Sequence, residues 1–337
     1  MKRRTVLTVV GARPQFVKAG PLCRALRERF REVLVHTGQH YDAEMSDAFF
    51  EELALPRPDH NLGIGGGSHG AMTGQMLAAL ERVIQAERPD LLVVLGDTNS
   101  TLAGALAAVK LHVPVAHVEA GLRSHDWRMP EEINRRLTDH ASALLFCPTP
   151  EAVANLRAEG VRRGVHKVGD VMLDAVLEHA RRAGAPEAPG TYAVATVHRQ
   201  ENADDPERLL AIVRCLDALP LPVRFPVHPR TRQRLHALGF TPRGALQLLR
   251  PASYLEMLRL VKGARLVLTD SGGLQKEAFI LRVPCVTLRD TTEWVETLAG
   301  GANRLAGAEP ARIERAARAA LRRPPRFPRR SPYGDGR

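Results

Sequence analysis

The chain has 337 residues, 44% of them hydrophobic and 25% charged, which describes a soluble globular protein long enough for two ordinary domain cores. Its net charge of +11 is spread out and densest in the terminal run "RRPPRFPRRSPYGDGR", and with 4% aromatic residues there is little to stack on bases. Nucleic-acid binding is therefore not expected. Four cysteines stand singly at Cys23, Cys147, Cys215 and Cys285, so neither a disulfide framework nor a zinc site is indicated, and a reducing cytoplasm suits them. No stretch is long and apolar enough to span a bilayer, and the first apolar run is too short for a secretory signal.

From the N-terminus onward one pattern repeats. A short Val- and Leu-rich run ends in Gly, His, Asp or Ser, and an amphipathic stretch follows. The runs are "TVLTVVGARPQ", "EVLVHTGQH", "LLVVLGDTNS", "VPVAHVEAG", "ALLFCPTP" and "VHKVGDV". "RRAGAPEAPG" then reads as a linker, because Gly, Pro and Ala cluster there without apolar periodicity. The pattern restarts with "YAVATVHRQEN", "PVRFPVHPR", "ARLVLTDSGG" and "VPCVTLRDT".

Continuous apolar strands alternating with helices predict parallel sheets covered on both faces. The expected fold is α/β, with two Rossmann-like, doubly wound domains facing a central cleft. The expected boundaries are 1–170 for the first domain, 171–190 for a connecting helix and linker, 191–323 for the second domain and 324–337 for a basic Pro/Arg-rich tail. In such sheets ligands sit beyond the carboxyl ends of the strands, so the polar residues there should converge on the cleft.

Residues 117–136, "HVEAGLRSHDWRMPEEINRR", hold four carboxylates, four arginines and two histidines directly after a strand. Pro130 would open a helix whose first turn carries Glu131 and Glu132, and acids in that position also suit a helix dipole without further function. "LTDSGGLQKEA" passes from strand to helix through Ser271, Gly272 and Gly273, where backbone N–H groups could meet a diphosphate; alternatively Asp270 and Ser271 simply cap the helix. Arg13 adds a guanidinium fork suited to phosphate, and Glu277 a carboxylate that could accept from ribose hydroxyls. No HExxH or other metal spacing occurs, and no cofactor is expected.

Taken together, "GARPQFVKAGPL", "TGQHYDAEM", "GDTNSTLAG", "HVEAGLRSHDWRMPEEINRRLTDH", "TVHRQEN", "PVHPRT", "LTDSGGLQKEA" and "RDTTEWVET" resemble the non-hydrolysing UDP-N-acetylglucosamine 2-epimerases along essentially the whole chain. The resemblance implies a fold like that of the GT-B glycosyltransferases, with UDP held mainly by the second domain. It implies a catalytic set of Asp97, Glu119, Glu131 and His198. It places Arg13, Lys18, Gln39, His228, Ser271, Gly272 and Glu277 on the substrate. Histidines after strands often only hydrogen-bond a loop, and on their own positions His40, His117 and His228 read as supporting residues. The implied reaction is epimerisation at C2 of UDP-N-acetylglucosamine to UDP-N-acetylmannosamine through 2-acetamidoglucal, serving polysaccharide synthesis, by a cytoplasmic homodimer. Three alternatives share these features: a C2 epimerase of another UDP-acetamido sugar such as UDP-2,3-diacetamido-2,3-dideoxyglucuronate, a GT-B glycosyltransferase, and a non-catalytic UDP-sugar binder.

Overall fold

A computed structural model describes residues 3–39 and 50–336. The chain divides into two compact units, residues 1–175 with 332–337, and residues 176–331.

In the first unit β1 (Thr5–Val10), β2 (Arg31–His36), β3 (His60–Asn61), β4 (Leu91–Leu95), β5 (Val115–Val118), β6 (Leu144–Cys147) and β7 (Val165–Lys167) form one sheet in the order β3-β2-β1-β4-β5-β6-β7. Every pairing is parallel. The crossovers include α1 (Arg13–Arg29), α2 (His69–Glu87), α3 (Asn99–Lys110), α4 (Pro130–Ala141) and α5 (Pro150–Ala158). Alternation along β1 explains why apolar residues occupy both of its faces, since successive side chains leave opposite faces and both are covered. Leu7 and Val9 pack with Met76 and Leu80 of α2 and Ala103 of α3, whereas Val6 lies with Leu22 and Leu26 of α1. Burying each such Leu or Val side chain contributes about 1.5–3 kcal/mol. The helices start where side chains satisfy their first N–H groups: the Ser68 hydroxyl accepts from Ala71 N, and Thr98 and Thr101 form a reciprocal box at the head of α3.

The helix α6 (Val171–Arg182) contains the boundary between the two units at 175/176. The second unit contains β8 (Ala193–Thr196), α7 (Gln200–Ala203), α8 (Pro206–Asp217), β9 (Val223–Pro226), α9 (Pro229–Ala237), β10 (Leu246–Leu249), α10 (Tyr254–Gly263), β11 (Leu266–Thr269), α11 (Gly272–Ile280), β12 (Cys285–Thr287), a 3-10 segment (Val295–Gly301), β13 (Asn303–Leu305) and α12 (Pro310–Arg322). Its sheet is again parallel, in the order β10-β9-β8-β11-β12-β13. Ala193, Ala195 and Val197 pack against Leu209 and Val213 of α8, and Val267 against Leu274 and Ala278 of α11.

Tyr333 is only 1% exposed, and its carbonyl accepts from Asp170 N at 2.8 Å. Burial of this one aromatic ring anchors the last described residues within the first unit, a contact with no periodic signature in the sequence.

Candidate functional site

Strand order reverses between β1 and β4 in the first unit and between β8 and β11 in the second. Loops leaving such neighbouring strands diverge and open a crevice at their carboxyl ends. Several candidates occupy these positions. Arg13 opens α1 and Lys18 lies in its second turn, both after β1; Asp97 follows β4 and Glu119 follows β5. Strands β4 and β5 pair with Leu95 opposite Val118, and Gly96 N donates to Val118 O at 3.0 Å, so the two acidic loops leave the sheet side by side.

Each acid is met by a cation. The buried Glu119 carboxylate pairs with the Lys18 ammonium, itself buried. The Arg135 guanidinium holds Asp97 Oδ2 at 2.6 Å. Glu119 also has a φ of +71°, a left-handed conformation that costs a residue with a Cβ on the order of 1–3 kcal/mol. Surrounding contacts hold it there. At the next turn Gly121 also has a positive φ, +82°, and a Cβ on it would meet Ala152 O at 2.3 Å, so no larger residue fits.

Gln15 ties the loops after β1 and β4 together. Its Oε1 accepts from Gly11 N at 2.8 Å and Ala12 N at 3.0 Å, while Nε2 donates to Leu95 O at 2.8 Å and Thr101 Oγ1 at 3.0 Å. Gln39 joins the same region by accepting from Ser100 N at 3.0 Å and Ser100 Oγ at 2.7 Å.

The dense charge of residues 117–136 resolves into a connected chain of contacts. His117, fully buried, has Nε2 2.7 Å from Gly96 O and Nδ1 2.7 Å from the Asp139 carboxylate. Asp139 also accepts from Arg123 Nη1 at 2.7 Å and from Gly121 N at 3.1 Å. Arg123 continues to Glu159 through two bonds of 2.8 and 2.7 Å, and Glu159 meets Arg136. Arg136 Nε reaches Glu132 Oε1 at 2.9 Å, Glu132 Oε2 accepts from Arg135 Nη1 at 2.6 Å, and Arg135 returns to Asp97. The chain thus starts at the Gly96 carbonyl and closes on the next residue. Burial alone would raise the Asp139 and Glu132 carboxyls, but their partners outweigh it: the His117 ring and Arg123 for Asp139, and Ser124 N–H with the two guanidiniums for Glu132. Both are held below the ordinary carboxylate range.

Glu131 and Glu132 therefore separate. Glu132 is fully buried in the framework, whereas Glu131 is half-buried and no described residue bonds or ion-pairs with its side chain.

In the second unit Ser271 caps α11, its hydroxyl accepting from Leu274 N at 3.3 Å. Asp270 does not cap that helix. Fully buried, it accepts from His198 N at 3.1 Å, Arg199 N at 3.0 Å and Asn202 Nδ2 at 3.2 Å, fastening the loop after β8 to the turn after β11. The half-exposed His198 ring has Nδ1 3.4 Å from Asp270. Ser271, Gly272 and His198 thus share one switch point, with the buried Glu277 further along α11. His228 is exposed at the head of α9, where Nδ1 accepts from Arg230 N at 3.3 Å. A Cβ on Gly272 would lie 2.5 Å from Glu293 Oε1, and Glu293 is paired with Arg289 at 3.0 Å. Lys276 Nζ sits 3.5 Å over the Trp294 ring.

A sequence profile of UDP-N-acetylglucosamine 2-epimerases matches residues 24–337. The chain belongs to the UDP-N-acetylglucosamine 2-epimerase family. It is 53% identical to a Pseudomonas aeruginosa UDP-2,3-diacetamido-2,3-dideoxy-D-glucuronate 2-epimerase, over 94% of this chain and 92% of that one. A crystal structure of the Methanocaldococcus jannaschii UDP-GlcNAc 2-epimerase, in complex with UDP-GlcNAc and UDP, superposes with a TM-score of 0.91 at 43% identity, covering 98% and 96% of the two chains. The calicheamicin glycosyltransferase CalG4, at 16% identity and a TM-score of 0.56 over 96% and 91%, shares the fold.

For this epimerase-family chain, the structure gathers Arg13, Lys18, Gln39, Asp97 and Glu119 around loops of the first unit. It gathers His198, Ser271 and Gly272 around one switch point of the second. His40 lies outside the described residues. Sequence reasoning missed Gln15, Arg123, Arg135, Arg136, Asp139, Glu159 and Asp270 as parts of the framework. The available signal was charge density of both signs beside strand ends, which marks a network but not its pairings.

Proposed function

We propose that the protein inverts C2 of a UDP-linked 2-acetamido sugar by eliminating UDP and adding it back. The C2 hydrogen is not next to a carbonyl, so enolisation is unavailable. Instead a carboxylate takes the C2 proton, the C–H electron pair forms a C1–C2 double bond, and the C1–O bond breaks with its electrons leaving on UDP. Protonation of C2 from the other face and return of the UDP oxygen to C1 complete the inversion.

The observation that carries this reading is the pair of acids, Asp97 and Glu119, at the ends of adjacent strands, each held by a buried or nearly buried cation. Such proton transfers by positioned groups contribute typically about 10²–10⁴-fold. Glu131 and His198 complete the catalytic set, and N–H groups around Ser271 and Gly272, with Arg13, take up charge growing on the diphosphate. Glu277 serves the ribose; Lys18, Gln39 and His228 support the substrate.

For the sugar itself, the 53% identity to the Pseudomonas aeruginosa protein supports UDP-2,3-diacetamido-2,3-dideoxyglucuronate, ahead of UDP-N-acetylglucosamine, the substrate named for the relative at 43%. A cytoplasmic homodimer supplying polysaccharide synthesis is the setting this reading implies. Proton NMR of each UDP-sugar with the protein in D₂O is the test. Deuterium at C2 with growth of the epimer supports the reaction and identifies the sugar. Absence of exchange with both sugars refutes it; a glycosyltransferase or a simple binder would give that result.

A further inference from the structure

Asp97 is gripped twice by α4. Asn134 Nδ2 donates to the Asp97 main-chain carbonyl at 3.0 Å and to Asn99 Oδ1 at 3.1 Å, while Arg135, in the next position, takes Asp97 Oδ2 at 2.6 Å. Arg135 is itself immobilised. Its side chain is 2% exposed, and its other terminal nitrogen lies 2.6 Å from Glu132 Oε2, which also accepts from Ser124 N at 2.8 Å and Ser124 Oγ at 3.0 Å. A guanidinium spans two carboxylates in fixed directions, which an ammonium cannot do. The consequence falls on the Asp97 side chain, 31% exposed: one oxygen is committed to Arg135, and no described residue bonds the other.

We infer that Arg135 is a positioning residue for the reaction, clamping Asp97 through Oδ2 so that Oδ1 alone is presented to the sugar. The same clamp joins Asp97 rigidly to the helix that carries Glu131, so two acids of the site keep one spacing through Arg135 and Asn134. This inference rests on the role proposed for Asp97. It differs from a purely structural role in what it does to turnover, because an acid displaced by about 1 Å loses on the order of a hundredfold in rate while binding is left alone.

The test compares Arg135→Lys and Arg135→Gln with the parent protein by C2 deuterium exchange, giving kcat and KM separately, alongside melting curves. The lysine variant keeps a cation against Asp97 and Glu132 and so protects the fold if glutamine does not. The expected result is a kcat lower by about a hundredfold or more in folded variants, with KM within about threefold. Lysine should restore part, but not all, of the turnover lost with glutamine. A folded variant whose kcat stays within about threefold of the parent, or which changes KM alone, overturns the clamp. A parent protein that exchanges no C2 deuterium refutes the reaction itself, and this inference falls with it.

Discussion

Glu131 and Glu132 stand side by side in the first turn of α4, and replacing each with glutamine should break the protein in opposite ways. Glu132 is fully buried and accepts four hydrogen bonds at 2.6–3.0 Å, two from the Ser124 amide and hydroxyl and two from the guanidiniums of Arg135 and Arg136. Glutamine has nearly the same shape but only one accepting atom. Whichever way its amide turns, an NH₂ group confronts a guanidinium, and the buried Arg135 and the partly buried Arg136 lose a compensating charge. Removing one partner of a buried pair costs about 3–5 kcal/mol. Because Arg135 retains Asp97 and Arg136 retains Glu159, the lower end applies, about 3 kcal/mol. For a unit of about 180 residues that corresponds to a fall in its melting midpoint of roughly 6–12 °C. Glu131, with no described partner, should tolerate glutamine within about 0.5 kcal/mol. Its kcat should nonetheless fall by at least about a hundredfold if it belongs to the catalytic set. Calorimetric melting of both variants, with C2 exchange rates, separates the two acids. A Glu132→Gln midpoint within about 2 °C of the parent would refute the buried-network argument, since that is under about 1 kcal/mol.

Glu119→Gln should lower kcat by at least about two orders of magnitude while UDP still raises the melting midpoint; normal turnover would remove Glu119 from the mechanism. Acid should unfold the first unit early, since Asp139, Glu132 and Glu159 all have depressed folded values. Their contribution is full above the unfolded values near about 4 and is lost as pH falls through the lower folded values. A melting midpoint that is level from about pH 7 to 5 and drops below about pH 4 is expected; no drop by about pH 3 would contradict it. Thiol reagents should find the native protein nearly inert. Burial pushes Cys147 and Cys285 up to about 12, Cys215 up to about 11, and Cys23 well above its ordinary range. Only Cys215, half-buried, should react slowly before unfolding, and a fast-reacting thiol at about pH 8 would show that one of these environments is wrongly drawn.

The parallel architecture was legible because it is local. Runs such as "TVLTVV" and "LLVVL" are apolar on both faces, and a strand covered on both sides needs that composition wherever its neighbours come from. The same is true of Ser271 at the head of α11 and Pro130 at the head of α4, whose positions relative to the helix explain them. The family strings identified candidate acids because they are long, contiguous and borne on such strand ends. That Glu132, beside the Glu131 singled out by the resemblance, belongs to a buried framework was not legible. Glu131 and Glu132 are the same residue type in adjacent positions, and they part only because helix geometry turns Glu132 inward toward Arg135 and Ser124. Asp139 and Glu159, apparently ordinary helix and cap acids, became the partners of Arg123 for the same reason. Sequence sets the alternation of strand and helix through side-chain periodicity, which a dozen residues can express. The closed path from Gly96 through His117 and Arg135 to Asp97 depends on directions and distances between side chains up to 38 positions apart, and only the folded chain brings those together.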